Sequence, residues 1–411
     1  MLIQNVFIEN AAESSDIRVT DGRFEEIAPR LAPRPGEEVL DCAGKLVLPP
    51  FIESHVHLDA CLTAGEPVWN QSGTLFEGIQ CWSLRKETLT KRDVKERVHR
   101  AARMQAQHGI QFVRTHVDVT DPKLTAMEAL LELREELRDT IDIQVVAFPQ
   151  EGIDSFPNGR RLLEDAVRMG ADAVGAIPHF EFTREYAVDT LNFAVKLAEK
   201  YDKLVDVHCD EIDDEQSRGL EVLAARAYES GLKDRVTASH TTAMHSYNNA
   251  YVAKLMRLLK LSEINFVANP LVNTHLQGRM DTYPKRRGVT RVKELLAEGI
   301  NVSFGHDDIV DPWYPLGTGN MRDVVFMGLH VCQMMGYQEI MNSYKLVSTN
   351  AAKTLHLGDL YGIKTGNPAS FLVLDADNFY NALNRKSEVL YSFRNGRLIA
   401  KASPAAREIL F

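Results

Sequence analysis

The chain has 411 residues, of which 45% are hydrophobic and 25% are charged, and its formal net charge at pH 7 is −10. These values are typical of a globular protein with a large buried core, arranged as one large α/β unit or as two or three domains. The longest basic run is Lys285-Arg286-Arg287. Because an acidic chain without a basic stripe holds a phosphate backbone poorly, we expect no nucleic acid partner.

The cysteines and the N-terminus indicate the cellular compartment in which the protein is expected. The five cysteines are scattered and never form a C-x-x-C pair, which argues against a disulfide framework or a zinc knuckle. The N-terminus has no basic region followed by a long apolar one, and no run of about 18 apolar residues exists. We therefore expect a cytoplasmic protein in a reducing environment, with no membrane partner.

Short apolar runs alternate with amphipathic stretches along most of the chain, and the apolar runs indicate strands. Between them, stretches such as 91–107 and 184–200 have helical spacing. Strands separated by helices indicate parallel βα units, and units that end in polar residues are typical of a TIM-type (β/α)8 barrel. We predict this barrel over residues 46–363. The predicted strand runs are 46–57, 112–118, 143–150, 173–180, 204–211, 235–241, 265–270 and 301–308.

The two ends of the chain have a different pattern. Both alternate polar and apolar residues, around turns at Asp21-Gly22 and Asn395-Gly396. We predict that residues 1–45 and 364–411 form one small β-sandwich domain beside the barrel.

Three histidines and one aspartate fall at predicted strand ends. His55 and His57 are two residues apart near the end of the first barrel strand, so both side chains lie on the same face. His208 ends the fifth strand and Asp307 ends the eighth. Three imidazoles and one carboxylate suit Zn²⁺ or Fe²⁺, and such an ion lowers the pKa of water enough to supply hydroxide near neutral pH.

These positions resemble the amidohydrolase superfamily, and longer motifs are similar to the bacterial cytosine deaminases within it. The similarity covers nearly the whole chain, including the terminal β segments. The motifs are N-Q-S-G-T-L-F-E-G-I at 70–79, A-F-P-Q-E-G at 147–152, H-C-D-E at 208–211, A-S-H-T-T-A-M-H-S at 238–246 and G-H-D-D followed by D-P-W-Y-P-L-G within 305–317.

The resemblance implies a role for each member of the metal set. It assigns metal ligation to His55, His57, His208 and Asp307, and it implies that Asp307 also passes a proton to the departing ammonia. It implies that His240 orients the attacking water. A two-metal member would need a bridging lysine or carboxylate at the end of its third or fourth strand. These strands end in Phe148-Pro149-Gln150 and Ile177-Pro178-His179, and no bridging lysine is present. We therefore expect one divalent metal, Fe²⁺ or Zn²⁺.

Glu211 is the predicted proton carrier. Hydrolysis of cytosine at C4 requires a proton at ring nitrogen N3, and a carboxyl group in a dry site can have its pKa raised enough to deliver one. Glu211 is three residues from His208, which on a straight strand would place the two on opposite faces. The strand must therefore end or bend near Cys209-Asp210.

Six further residues are predicted to contact the substrate. The amide of Gln150 complements N1–H and C2=O of a pyrimidine, and an analogue lacking these groups would leave it unpaired. Asp308 is placed near the exocyclic amine, and Leu75, Phe148 and Trp313 are candidate apolar walls. Val310 stands where the bacterial cytosine deaminases carry phenylalanine, so we expect it to leave room for a methyl group at the pyrimidine 5-position.

The predicted activity is hydrolytic deamination of cytosine to uracil and ammonia, and also of 5-methylcytosine to thymine. The resemblance implies a homo-oligomer. Alternatives are a deaminase of isoguanine or creatinine, a cyclic amide hydrolase of the dihydropyrimidinase or hydantoinase type, and a non-catalytic binding protein on the same fold. The small zinc deaminases that act on nucleic acids are excluded, because their H-x-E and P-C-x-x-C motifs are missing.

Overall fold

The computed structural model describes all residues except 405, 407 and 411, which lie at the end of the predicted small domain. The strands in chain order are β1 Leu2–Ile8, β2 Ser15–Thr20, β3 Arg23–Ala28, β4 Val39–Leu48, β5 Phe51–Val56, β6 Ile110–Asp118, β7 Asp142–Phe148, β8 Ala173–Ala176, β9 Leu204–Cys209, β10 Val236–His240, β11 Asn265–Ala268, β12 Val302–Phe304, β13 Phe371–Leu374, β14 Val389–Arg394 and β15 Arg397–Lys401.

The α-helices in chain order are α1 Leu75–Lys86, α2 Lys91–Gln107, α3 Thr125–Leu137, α4 Gly159–Met169, α5 Arg184–Tyr201, α6 Gly219–Ser230, α7 Asn249–Ser262, α8 Pro270–Leu276, α9 Val292–Ala297, α10 Met321–Val331, α11 Tyr337–Asn342, α12 Thr349–Thr354 and α13 Phe379–Asn384. Their starts follow local chemistry: the side chains of Thr74, Thr90, Thr183 and Asn248 accept backbone N–H groups at the first turns of α1, α2, α5 and α7. Among the described residues, no helix has the length and apolar character needed to cross a membrane.

Strands β5 to β12 form the predicted barrel. Each pairs in parallel with the next along the chain, and the sheet runs in the order β5 to β12. The ring closes between its first and last strands through backbone hydrogen bonds: Asp307 N–H donates to His55 O at 2.8 Å, and His57 N–H donates to Asp307 O at 2.9 Å. The (β/α)8 prediction is therefore confirmed, and three predicted metal ligands lie where the barrel closes.

The termini build the small domain. Strands β1 to β4 and β13 to β15 hydrogen-bond as one continuous sheet in the order β15-β14-β13-β4-β1-β2-β3, around a core that includes Ile3, Phe24 and Phe371. The strands therefore make one sheet, whereas a sandwich would have two separately hydrogen-bonded ones. Strand β4 belongs to this sheet as far as Leu48, so the chain enters the barrel at Pro49-Pro50, slightly later than the predicted boundary after residue 45.

A buried ion pair occupies the lower interior of the barrel. Arg114 on β6 and Asp206 on β9 are both fully buried, and Arg114 Nη1 lies 2.8 Å from Asp206 Oδ2. The guanidinium also donates to Gln144 Oε1, Thr237 Oγ1 and the carbonyl of Thr354. Burial raises the pKa of Asp206, and Arg114 opposes that rise. The arginine thus holds strands of the barrel together and keeps a charged partner beside a buried carboxylate.

We predict that Arg114→Met lowers the free energy of unfolding by about 3–5 kcal/mol, because it leaves Asp206 buried without its cation. Urea denaturation of the two proteins at equal metal occupancy would measure the loss. A midpoint equal to that of the wild type would show that the ion pair does not hold the barrel.

Candidate active site

The structure brings together the four predicted metal ligands. The Nε2 atom of His208 lies 3.2 Å from Nε2 of His55 and 3.1 Å from Nε2 of His57. Asp307 Oδ1 lies 3.4 Å from His55 Nε2 and 3.5 Å from His57 Nε2. Donor atoms that share one tetrahedral ion with bonds of about 2.0–2.1 Å are separated by about 3.4 Å. The donor set therefore fits a single divalent ion of this size.

The protonation of this cluster also fits a metal. Burial lowers the pKa of His57 to about 3 and lowers the pKa of His55 and His208 well below the usual range. The three imidazoles are therefore neutral, and their contacts with Asp307 are not ion pairs. Burial also raises the pKa of Asp307 to about 8, so this carboxyl group stays ionised at pH 7 only beside a cation. Neutral imidazoles with free lone pairs and a buried carboxylate are metal ligands.

A chain of hydrogen bonds orients His55 from below. Its Nδ1 lies 3.0 Å from Ser239 Oγ, and Ser239 Oγ donates to Asp206 Oδ1 at 2.7 Å. With Asp206 ionised beside Arg114, the serine proton goes to the carboxylate and the serine oxygen accepts from His55. This order leaves the Nε2 lone pair of His55 facing the cluster, as a metal ligand requires.

A second potential donor group lies deeper, formed by His55, His116 and Asp206. Its carboxylate is already bonded to Arg114 and Ser239. These contacts favour the four-residue set as the metal centre.

Glu211 reaches the cavity because the backbone turns after β9. The strand ends at Cys209, and Asp210 has a φ of +51°, in the left-handed region. The Asp210 carboxylate accepts from the N–H groups of Gly219 and Leu220, which fixes it on the first turn of α6. The predicted end of the strand is therefore observed, and the strained residue places Glu211 on the same side as His208.

Glu211 and His240 form a buried pair. Glu211 Oε1 lies 3.2 Å from His240 Nδ1. Burial raises the pKa of Glu211, but the charge and hydrogen bond of His240 outweigh it and hold the pKa below its usual value. Burial lowers the pKa of His240, but Glu211 and Asp307 outweigh it and raise the pKa. The raised pKa predicted for Glu211 is therefore wrong in the free protein, because the sequence could not show that His240 contacts it.

A small cavity of about 20 Å³ lies above the cluster. It has room for about one water molecule, so a flat ring binds there only with some movement of the lining side chains. Of the predicted substrate contacts, Gln150, Asp308, Leu75 and Trp313 line it. Burial and the adjacent carboxyl of Asp307 raise the pKa of Asp308. The remaining lining residues are His57, His208, Glu211, His240, Val272, Leu276 and Asp307.

Phe148 and Val310 do not line this cavity. The ring of Phe148 stacks on the ring of His208 with centroids 3.9 Å apart. Phe148 therefore supports a predicted metal ligand and does not contact the cavity. Val310 is partly buried against the barrel core, and its carbonyl accepts from Ala64 N–H at 3.0 Å. Its φ of +52° is unusual for a β-branched residue. The structure thus places Val310 in the packing of its own loop and not on the wall of the cavity.

Two glycines allow close approaches at the site. A Cβ on Gly78 of α1 would lie 2.4 Å from Cδ1 of Trp313, so the helix can pack on the indole only with glycine there. A Cβ on Gly305 would lie 2.4 Å from Asn269 Oδ1 and 2.7 Å from His55 Cβ. Helix α1 therefore holds Trp313 against the cavity, and Gly305 makes room for groups beside the cluster.

Sequence reasoning missed helix α8 and Asn269, the residue just before it. Val272 and Leu276 line the cavity, and the side chains of Asn269 and Asn273 contact His240. The available signal was an Asn-Pro pair at a strand end, followed by polar and apolar residues three and four apart on a helix. His179 was also left without a role, and its Nδ1 accepts from Glu211 N–H at 3.3 Å.

Comparison with known proteins gives close relatives. Residues 38–400 match the family model described as "Amidohydrolase family". The crystal structure of 5-methylcytosine deaminase from Klebsiella pneumoniae liganded with 5-fluorocytosine has a TM-score of 0.97 and 51% identity, covering 100% of this chain and 99% of that chain. N-isopropylammelide isopropyl amidohydrolase from Pseudomonas sp. (strain ADP) is 30% identical over 407 residues, 98% of this chain and 97% of that protein.

A pterin deaminase from Rhizobium rhizogenes is 26% identical over 405 residues, covering 96% of this chain and 90% of that protein. The family match spans most of the chain, and the relatives align from end to end. With the four predicted metal ligands brought together at the mouth of a (β/α)8 barrel, these similarities show that the chain belongs to the amidohydrolase family.

Proposed function

We propose that this protein hydrolyses free cytosine to uracil and ammonia, and 5-methylcytosine to thymine and ammonia. The observation that carries the proposal is a small cavity in which Gln150, Glu211 and Asp308 face the space above the metal cluster. The 51% identity to a 5-methylcytosine deaminase over the whole chain supports the same pair of substrates.

The metal centre is proposed to hold one ion, Fe²⁺ or Zn²⁺, between His55, His57, His208 and Asp307. A divalent ion bound there lowers the pKa of water towards about 7 and so makes hydroxide available at neutral pH. The stacked ring of Phe148 and the Ser239 contact to His55 keep two of these ligands in place.

The other side chains bind the base and move protons. Gln150 is proposed to pair with N1–H and C2=O, and Asp308 to contact the exocyclic amine. Glu211, which is ionised in the free protein, takes one proton from the attacking water and delivers it to N3 while the oxygen of that water adds to C4. His240 orients this water, and Asp307 passes its second proton to the amine, so that the C4–N bond breaks, ammonia leaves and the C4=O group of uracil forms.

The nearest alternative chemistry is opening of a cyclic amide, as in a dihydropyrimidinase or hydantoinase. No lysine stands among the residues that line the described cavity. Ammonia release in the absence of ring opening separates the two reactions. The homo-oligomer implied by the resemblance is retained as a proposal, and light scattering of the purified protein tests it.

We predict one tightly bound divalent transition metal per chain and loss of activity on its removal. Chelation should abolish ammonia release, and adding back Fe²⁺ or Zn²⁺ should restore it. His55→Ala should lose the metal, whereas His99→Ala should keep it, because His99 is an exposed residue of α2. Two ions per chain, or full activity after exhaustive chelation, would contradict the one-metal proposal.

We predict that Glu211→Gln lowers kcat by at least about 10²-fold and leaves the metal content unchanged. Glutamine has nearly the same shape and fills the same place beside His240, but it cannot carry the proton to N3. Steady-state kinetics with metal analysis of the same sample measure both quantities. Loss of the metal would make Glu211 a ligand, and wild-type kinetics would remove it from the mechanism.

We predict ammonia release from cytosine and 5-methylcytosine, and kcat/KM values at least about tenfold lower for isoguanine and creatinine. Isoguanine adds a fused second ring to a small cavity, and creatinine has a CH2 group in place of N1–H, which leaves Gln150 unpaired. In the same assay, Val310→Phe should leave the ratio of the two kcat/KM values unchanged, because Val310 packs against the barrel core and does not line the cavity. Selective loss of 5-methylcytosine turnover would show instead that this residue faces the pyrimidine 5-position. No turnover of either pyrimidine would refute the proposed function.

A further inference from the structure

Asn273 of α8 lies between the two proton carriers. It is fully buried, and its Nδ2 lies 2.9 Å from His240 Nδ1 and 3.4 Å from Glu211 Oε1. Glu211 Oε1 in turn lies 3.2 Å from His240 Nδ1. The three side chains therefore form a closed triangle of polar contacts beside the cavity, out of reach of bulk water.

The orientation of this amide is fixed by its own helix. Asn273 Oδ1 accepts from the backbone N–H of Asn269 at 3.2 Å, just before Pro270 begins α8. With its oxygen engaged there, the amide turns its NH2 group towards Glu211 and His240, where the carboxylate is the acceptor for both the amide and the Nδ1–H of a charged His240. A carboxylate can accept two or more hydrogen bonds, so Glu211 can be held by the amide and still face a ligand.

Asn273 does not itself line the described cavity, although Val272 and Leu276 on the same helix do. Its side chain can therefore affect a reaction only through the groups that it contacts, which are Glu211, His240 and the backbone N–H of Asn269. Without the amide donor, the Glu211 carboxylate would turn away from its present position, because a buried carboxylate that lacks hydrogen-bond donors is destabilised.

We infer that Asn273 is a positioning residue, which holds the Glu211 carboxylate beside the His240 imidazole, in the place needed for proton transfer to the substrate. This inference rests on the proposed deamination. Loss of the Asn273 amide should lower kcat and leave KM nearly unchanged, because Gln150 and Trp313, which are proposed to bind the base, lie on other elements.

The test replaces the amide donor and keeps the acceptor. Asn273→Asp has the same shape and can still accept from Asn269 N–H, but it presents an oxygen to Glu211. Asn273→Ser removes the donor without adding a charge, and it serves if the aspartate variant does not fold. We expect kcat to fall by at least about tenfold, with KM changed by less than about threefold and the metal content and Tm retained.

Thr274 offers a matched control. It is the next residue of α8, and its hydroxyl has no hydrogen-bond partner among the described residues. Thr274→Ala should leave kcat and KM unchanged. A rise in KM with wild-type kcat in the Asn273 variants, or an equal loss of activity in Thr274→Ala, would overturn the positioning role in favour of a general effect on the helix.

Non-additivity provides the second readout. If Asn273 acts through Glu211, then Asn273→Ser should lower kcat by less than about twofold in a Glu211→Gln background, since groups that act as a unit do not have additive effects. An undiminished effect in that background would overturn the inference.

A crystal structure of Asn273→Ser separates this inference from the proposed substrate. We expect Glu211 Oε1 to leave its 3.2 Å contact with His240 whatever base is turned over. An unchanged pair would overturn the positioning role even with an inactive wild type, whereas a displaced pair with no pyrimidine turnover would count against the proposed function alone.

Discussion

The site depends on the way in which the barrel closes. The last barrel strand joins the first through the backbone of Asp307, which bonds to His55 and His57 on either side. The imidazoles of His55 and His57 meet His208 Nε2, and Asp307 Oδ1 lies within 3.5 Å of the same two imidazoles. Because backbone closure and donor convergence use the same residues, a change of register between β5 and β12 would separate the ligands. The fold therefore determines the metal site directly, without loops that must order first.

A buried ion pair and a serine hydroxyl in the barrel interior hold this arrangement in place. Arg114 and Asp206 are buried in the barrel interior, and Ser239 transmits their position to His55 through two hydrogen bonds. A buried ion pair of this kind costs desolvation and adds stability only when its remaining donors and acceptors are satisfied. Here the guanidinium donates to three other groups besides the Asp206 carboxylate, namely Gln144 Oε1, Thr237 Oγ1 and the carbonyl of Thr354. The pair orients a metal ligand as well as joining strands.

The acid–base chemistry depends on backbone strain at strand ends. Asp210, His240 and Asp307 all have positive φ, which L-residues rarely adopt. At each position the strain redirects the chain so that a side chain faces the cavity. In the free protein Glu211 and His240 stabilise each other's charges, and a base bound between Gln150 and Trp313 would offer N3 as a new partner for the proton.

The sequence by itself determined the periodic and local features. The alternation of apolar runs and helical spacing was enough for the barrel, and the H-x-H pair with His208 and Asp307 was enough for the metal set, because parallel strands bring their carboxyl ends to one face. Tertiary structure alone decided the contacts between distant elements. It paired Glu211 with His240 and so lowered a pKa that was expected to rise, brought α8 with Asn273 to the site, joined the terminal strands in one sheet, and turned Val310 into its own loop. These outcomes depend on which segments pack together and on backbone dihedral angles, and neither is encoded in the spacing of residues along one strand.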